Sequence, residues 1–248
     1  MTCTLERTES FATIVFGSAG HNAFTSDLLV QIKNHISSLD HDQSIKAIVI
    51  KSAGDRSFCA GADLSELMSI QEVESGIRFF SRVADLILAI RKSPHLVLCR
   101  VQGKAVGGGL GILAVSDYVI ATAQAQIRLS ELINGIGPFV VGPTIERKMG
   151  LAGFSYMALT PAEWHSAAYA LHHGLFHEVT DTIATLDLAV DTKLKELSGY
   201  STKALREIKQ MFWSSTPSWD ELLYLRAAIS GKLIMTEESK AALNRLKH

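Results

Sequence analysis

A chain of 248 residues is long enough for one substantial domain with an appendage, and 47% hydrophobic with 20% charged residues is an ordinary globular composition. Its 24 basic and 25 acidic residues leave a net charge of −1, which excludes a basic field over the whole surface of the kind that binds nucleic acid. No run of 18 apolar residues occurs, the first residues lack a basic-then-apolar leader, and Cys3, Cys59 and Cys99 have neither even number nor metal-ligand spacing. The expectation is a cytoplasmic protein with free thiols, no membrane association and no bound metal.

Residues 11–16 (FATIVF), bounded by Gly17, Gly20 and Asn22, form a short β-branched apolar run that reads as a strand. From Ser26 the spacing of Leu28, Leu29, Ile32, Ile36 and Leu39 predicts a helix, and residues 45–50 (IKAIVI) predict a buried strand. Asp63 is placed to cap a helix, with Glu66 as its partner in a capping box. Val73, Ile77, Phe80, Ala84 and Ile87 mark one face of a long helix that stops at Ser93-Pro94. A strand at 96–101, a helix of two turns at 112–116 and a strand at 118–120 follow. Thr160-Pro161-Ala162-Glu163 and Ser218-Trp219-Asp220-Glu221 both read as capping boxes, with helices at 186–197, 203–213 and 221–235. The chain thus divides into an α/β body, residues 1–190, and a helical portion, residues 191–248.

Two glycine-containing loops, each between a strand and a helix, hold the most information: residues 57–63 (SFCAGAD) and residues 103–111 (GKAVGGGLG). Glycine leaves no side chain between backbone and ligand, and amides at a helix start point outward with the positive end of the helix dipole. Two such amides converging on one oxygen make an oxyanion hole. Glycine equally serves tight turns and close helix–sheet packing, and that reading stays open for either loop. Residues 109–114 also fit the dinucleotide pattern G-x-G-x-x-A, with Glu131 about twenty residues on. The helix after it is too short for a dinucleotide-binding crossover, however, and Glu131 does not end a strand.

Taken together, S-F-C-A-G-A-D-L at 57–64 and V-Q-G-K-A-V-G-G-G-L-G at 101–111 closely resemble the two signatures of the enoyl-CoA hydratase/isomerase (crotonase) superfamily. The resemblance implies a crotonase (ClpP-like) core, a spiral of ββα units, with a C-terminal helical region that trimerises. It implies an acyl-CoA substrate, a homotrimer or homohexamer, and no cofactor apart from the coenzyme A of the substrate itself. The Ala62 and Gly108 amides are then the oxyanion hole. Ala60, Gly61, Asp63, Gly107, Gly111 and Ser130 are expected around the thioester, with Ala60 toward the adenine end.

Hydratases of the family carry two glutamates, and the resemblance assigns Glu131 to one of them, as acid/base. The other position is Gly111 here, expected to leave a small space for water or a substrate branch. Some hydratases and dehydratases of the family also lack that acid, so hydration or dehydration is the favoured reading, with Δ3,Δ2-double-bond isomerisation as the alternative chemistry and a catalytically silent CoA-thioester- or RNA-binding module as the non-enzymatic alternative. The segment 127–143 looks like methylglutaconyl-CoA hydratases and the branch-forming dehydratases of polyketide assembly, which take branched chains; Arg128 and Lys104 are candidate cations for an acidic chain, with Arg128 reading better as an ordinary surface or salt-bridge residue. Cys59 is expected to pack and His172-His173 to end a helix; the loop that holds His21 borders the CoA in relatives, though His21 itself is not expected to touch it.

Overall fold

The computed structural model describes residues 1–19 and 21–246; Gly20, expected to bound the first strand, lies outside the described residues. Strand β1 (Thr2–Arg7) is an element that periodicity did not announce: its residues alternate weakly because it is an edge strand. It pairs antiparallel with β2 (Phe11–Gly17). Helix α1 (Ser26–Ser37) then buries the expected Leu28, Leu29, Ile32 and Ile36. Next come β3 (Ala47–Ser52), the short β4 (Ser57–Cys59), α2 (Leu64–Ser69) and α3 (Val73–Lys92). Beyond Pro94 the chain runs through β5 (Leu96–Val101), β6 (Lys104–Val106), α4 (Gly108–Val115), β7 (Tyr118–Thr122) and β8 (Gln126–Arg128).

A single 3-10 turn, Glu131–Asn134, precedes α5 (Gly142–Leu159), β9 (His165–Ser166), α6 (Ala167–His172) and β10 (Glu178–Thr180). Four helices complete the described chain: α7 (Ile183–Ser198), α8 (Thr202–Trp213), α9 (Trp219–Leu233) and α10 (Glu237–Arg245).

The strands form two sheets, one in the order β1-β2-β3-β5-β7-β10 and a smaller one in the order β4-β6-β8-β9. All pairs are parallel except β1 with β2 and β8 with β9. The runs 47–50 of β3 and 96–99 of β5 are continuously apolar because both of their faces are covered, as parallel interior strands require. Repeatedly the chain passes from the large sheet to the small one and then into a helix (β3 to β4 to α2, β5 to β6 to α4). The two glycine loops are these crossings, so both helix starts fall on the same side of the small sheet.

Several local expectations need correction. Thr160 does not start a helix: it is the C-cap of α5, its hydroxyl donating to Tyr156 O, and Pro161 stops the helix. α5 itself was hidden by Gly142-Pro143, Gly150 and Gly153, and it is interrupted at Gly150 (φ 73°). Ser218 does precede α9, but its side chain makes no cap bond. The capping box at α2 is half made. Asp63 accepts from Glu66 N at 2.9 Å, whereas the Glu66 carboxylate accepts from Ser26 N at 2.8 Å and so ties α2 to α1.

The expected boundary at 190/191 falls within α7. Trp213, Trp219, Leu223, Ala227 and Leu243 from the later helices lie in the same apolar core as the sheet. α8 is fixed to the sheet by a buried ion pair, Lys209 Nζ to Asp117 Oδ2 at 2.5 Å, with the Trp213 indole donating to Asp117 Oδ1 at 2.9 Å. α9 lies against α3 at a close glycine crossing: a Cβ on Gly76 would stand 2.8 Å from Gly231 O, so neither position has room for a side chain.

Candidate active site

The two crossings and the turn after β8 line one partly open cavity. Of the nine residues assigned from sequence, seven line it: Ala60, Gly61, Ala62, Gly107, Gly108, Ser130 and Glu131. The other two do not. Asp63 is occupied as the cap of α2, and Gly111 is buried behind the cavity wall.

Ala62 is held by its neighbours. Phe24 N donates to Gly61 O at 2.7 Å and Asp63 N donates to Phe24 O at 2.9 Å, forming a parallel bridge between Phe24 and Ala62. In such a bridge the middle residue's own N–H points away from its partner strand. Gly108 is the first residue of α4, where the helix supplies no acceptor for its amide. Among the described residues neither amide donates to another protein group. Phe24 joins the two loops, since its backbone pairs with Ala62 and its ring is the nearest neighbour of the open face of Gly108.

The glycines of the second loop have separate tasks. Gly107 has φ 51°, and a Cβ there would stand 2.9 Å from Glu131 Oε1, so the carboxyl lies directly against its Cα. A Cβ on Gly109 would stand 2.6 Å from the Cβ of Cys59, so this glycine permits close packing of α4 on β4. Cys59 is accordingly a packing residue, fully buried, with burial pushing its thiol up to about 12.

At Gly111 the structure overturns the expected space for water or a branch. A Cβ there would fall on Val141 Cγ1 and lie 2.8 Å from Val141 Cβ. Val141 lines the cavity in front of Gly111. Gly111 is covered by an isopropyl group from thirty residues further on.

Glu131 opens the 3-10 turn. Its Oε2 is buried without a hydrogen-bond partner. Burial raises its pKa to about 7, and its own backbone N–H works in the opposite direction. The surroundings are apolar: Phe79, Phe80 and Val83 from α3, and Ile136 to Val141 from the segment before α5. Asn134 and Ser230 add the remaining polar side chains.

None of the described residues lining the cavity is basic. Arg128 and Lys104, the candidate cations for a carboxylated chain, stand over the Trp164 ring at 4.4 and 4.5 Å from its centroid. His172 ends α6 as expected. His21 is not among the residues lining the cavity and has φ 55°. Among the described residues no three His, Cys, Asp or Glu side chains are grouped to hold a metal ion.

Sequence reasoning missed Phe24, Phe79, Val83, Asn134, Val141 and Ser230. Phe79 and Val83 had a signal, an apolar i, i+4 pair beside the main stripe of α3. The others are brought in by long-range contacts with no local mark. Two buried amides were missed as well: Asn22 Nδ2 donates to Ala53 O and Ser57 O, and Gln102 Nε2 to Ser52 Oγ, Gly54 O and Ser57 O. They fix the loop that leads to Ala62.

A spiral of paired small and large strands, with two helix-start loops meeting over one carboxyl, is the crotonase fold, and comparison with known proteins bears this out. The family model for enoyl-CoA hydratase/isomerase matches residues 6–246. The chain belongs to that family. It is 27% identical over 229 residues to the short-chain-enoyl-CoA hydratase of Clostridium acetobutylicum, covering 90% of this chain and 85% of that one. It is 28% identical over 193 residues to the carboxymethylproline synthase of Pectobacterium carotovorum, covering 77% and 75%. The crystal structure of the enoyl-CoA hydratase from Bacillus halodurans superposes with a TM-score of 0.89 at 21% identity, covering 98% of this chain and 99% of that one. No helix among the described residues is long and apolar enough to cross a membrane.

Proposed function

We propose that this chain is an enoyl-CoA hydratase acting on an uncharged acyl thioester, with Glu131 as its one acid/base and the Ala62 and Gly108 amides as its oxyanion hole. The observation that carries the reading is a buried, unpartnered carboxyl in an apolar cavity that two free amides also face. The thioester oxygen accepts from both amides, which polarises the C2=C3 bond. Glu131 takes a proton from water as the oxygen bonds to C3, and the electron pair of the double bond becomes an enolate on the thioester oxygen. The protonated Glu131 then returns that proton to C2. Water is added across the double bond, and the carboxylate is regenerated. A pKa near 7 suits a group that must both take and give this proton. Coenzyme A enters only as part of the substrate.

The cavity's lack of basic residues argues against a carboxylated chain of the 3-methylglutaconyl kind; a branched but uncharged chain remains compatible. Val141 supports a second reading. By closing the space at Gly111 it leaves Glu131 without a second acid, as suits moving a double bond from C3 to C2 by one carboxyl. The two relatives named above carry names for different reactions, so neither name chooses between these chemistries. Exposed Met211 and Phe212 on α8 and Leu225 and Ile229 on α9 support self-association into the expected trimer or hexamer.

The test is turnover of crotonyl-CoA, 3-methylcrotonyl-CoA, 3-methylglutaconyl-CoA and 3-hexenoyl-CoA by the wild type and by Glu131→Gln. The account expects hydration of the uncharged enoyl thioesters, reduced about two to four decades in kcat by Glu131→Gln. Migration of the 3-hexenoyl double bond alone assigns the chain to the isomerases. Preference for the carboxylated substrate overturns the uncharged chain, and full activity in Glu131→Gln overturns the acid/base.

A further inference from the structure

One helix touches both halves of this site. α10 packs on the 3-10 turn that opens with Glu131 and on α2, the helix that follows Ala62. Toward α2, Lys240, Leu243 and Asn244 stand across a cleft from Leu67, Met68 and Ile70, and Leu67 is also part of the catalytic cavity wall. Toward the turn, Ser239, fully buried, makes the hydrogen-bonded contact. Its hydroxyl donates to Gly135 O at 2.8 Å. Gly135 closes the turn in the left-handed conformation (φ 73°), and its open face lies so close that a Cβ there would stand 2.6 Å from both Ser239 Cα and Oγ. Ile136 N, one residue on, donates to Glu131 O at 3.2 Å. The chain of contacts therefore runs from α10 through Ser239 to Gly135, and from there to the backbone of Glu131.

We propose that Ser239 is a positioning residue: its bond to Gly135 makes α10 a brace that holds the Glu131 carboxyl at a fixed depth relative to the Ala62 amide. The proposal rests on the role assigned to Glu131 above. Ser239 is 104 positions from Gly135 in sequence, and its own place is set by Thr236, whose Oγ1 accepts from Ser239 N at 3.3 Å to cap α10. The Ser239 hydroxyl, fully buried, satisfies the carbonyl of the residue that closes the catalytic turn. The charged side chains of α10, Glu237, Glu238, Lys240 and Arg245, are exposed, as are Glu146 and Arg147 of α5, while Lys148 faces His177. They do not set the electrostatics of Glu131; its depth does.

The experiment compares wild type, Ser239→Ala, Ser239→Thr and Gly135→Ala in the pH dependence of kcat and in the titration of the Glu131 carboxyl by carbon-13 NMR, assigned with Glu131→Gln. In Ser239→Ala the turn relaxes and the carboxyl gains water. The midpoint is expected to fall from about 7 toward the ordinary glutamate range, with kcat down roughly ten- to hundredfold and KM nearly unchanged. Ser239→Thr, which keeps the hydroxyl, should restore most of both. Gly135→Ala intrudes on the same contact from the side of the turn and should reproduce the alanine signature. A lower melting temperature with an unmoved NMR midpoint in both Ser239→Ala and Gly135→Ala would make Ser239 merely structural and overturn the proposal. If the kinetic limb persists in Glu131→Gln, the functional reading fails instead, and the NMR midpoint still decides the brace.

Discussion

The two glycine loops place Ala62 and Gly108 in the wall of the same cavity, yet they hold them by different means. At 57–63 the device is hydrogen bonding: Phe24 engages the groups on either side of Ala62, and Asn22 and Gln102 fix the approach. Side chains are tolerated there, as Ala60 and Ala62 demonstrate. At 103–111 the device is close contact. Gly107 lies on the Glu131 carboxyl, Gly109 on Cys59 and Gly111 on Val141, and in each case a Cβ would stand under 3.0 Å from its neighbour. Only Gly108 combines a free amide with a face open enough for ordinary contact, 3.4 Å to the Phe24 ring. A run of glycines is therefore a poor guide to which of them meets a ligand. In the second loop most of them permit packing, and the packing is what aims the amide.

The largest effect that would break this comparison comes from Gly111→Glu, which puts a carboxylate where Val141 now packs. A carboxylate forced onto Val141 in a buried wall should destabilise the fold by about 3–5 kcal/mol, read from urea unfolding, and Val141→Ala in the same chain should recover part of the loss. Wild-type stability in the single variant would mean that the second loop is not held by contact.

A smaller effect separates Glu131 from both loops. Its pKa is raised when folded, so its contribution to stability is fully present below about pH 4.5 and is lost as pH rises through about 7. Glu131→Gln removes that dependence. Thermal unfolding should find the variant equal to wild type at pH 4 and more stable at pH 8, by at most about 3 kcal/mol. An unchanged difference across that range would place the carboxyl in water.

Smallest of all should be Ala62→Gly. The amide is kept by the Phe24 bridge, so activity should stay within about threefold of wild type, and the cost is the extra backbone entropy, about 0.5–1 kcal/mol. A loss of activity as large as that of Glu131→Gln would show that the first loop, too, depends on its side chains.

Much of this was legible in the chain. The spacing of Leu28, Leu29, Ile32 and Ile36, the apolar runs of β3 and β5, and the two loop motifs located most of the large sheet, several of the helices and seven residues that line the cavity. What escaped depends on contacts between distant segments. Gly111 looked like vacant space because nothing near it in sequence reveals that Val141 fills it. Arg128 and Lys104 looked available because Trp164, which carries both, is a further 36 residues along from Arg128. β1 and α5 were missed for a local reason, since an edge strand and a glycine-broken helix each dilute the period that would announce them. The Ser239 contact is longer still, and only the fold brings α10 to the turn.

The central claim is that two amides and one carboxyl suffice to form and quench an enolate of an acyl thioester. It is tested most directly by proton exchange at C2 of a saturated substrate, butyryl-CoA, in heavy water, followed by proton NMR. This needs neither hydration nor a double bond. The account predicts loss of the C2 proton signal with wild-type enzyme, with a rate that rises through about pH 7, and no catalysed loss with Glu131→Gln. No exchange with wild type, or equal exchange with the variant, would contradict it.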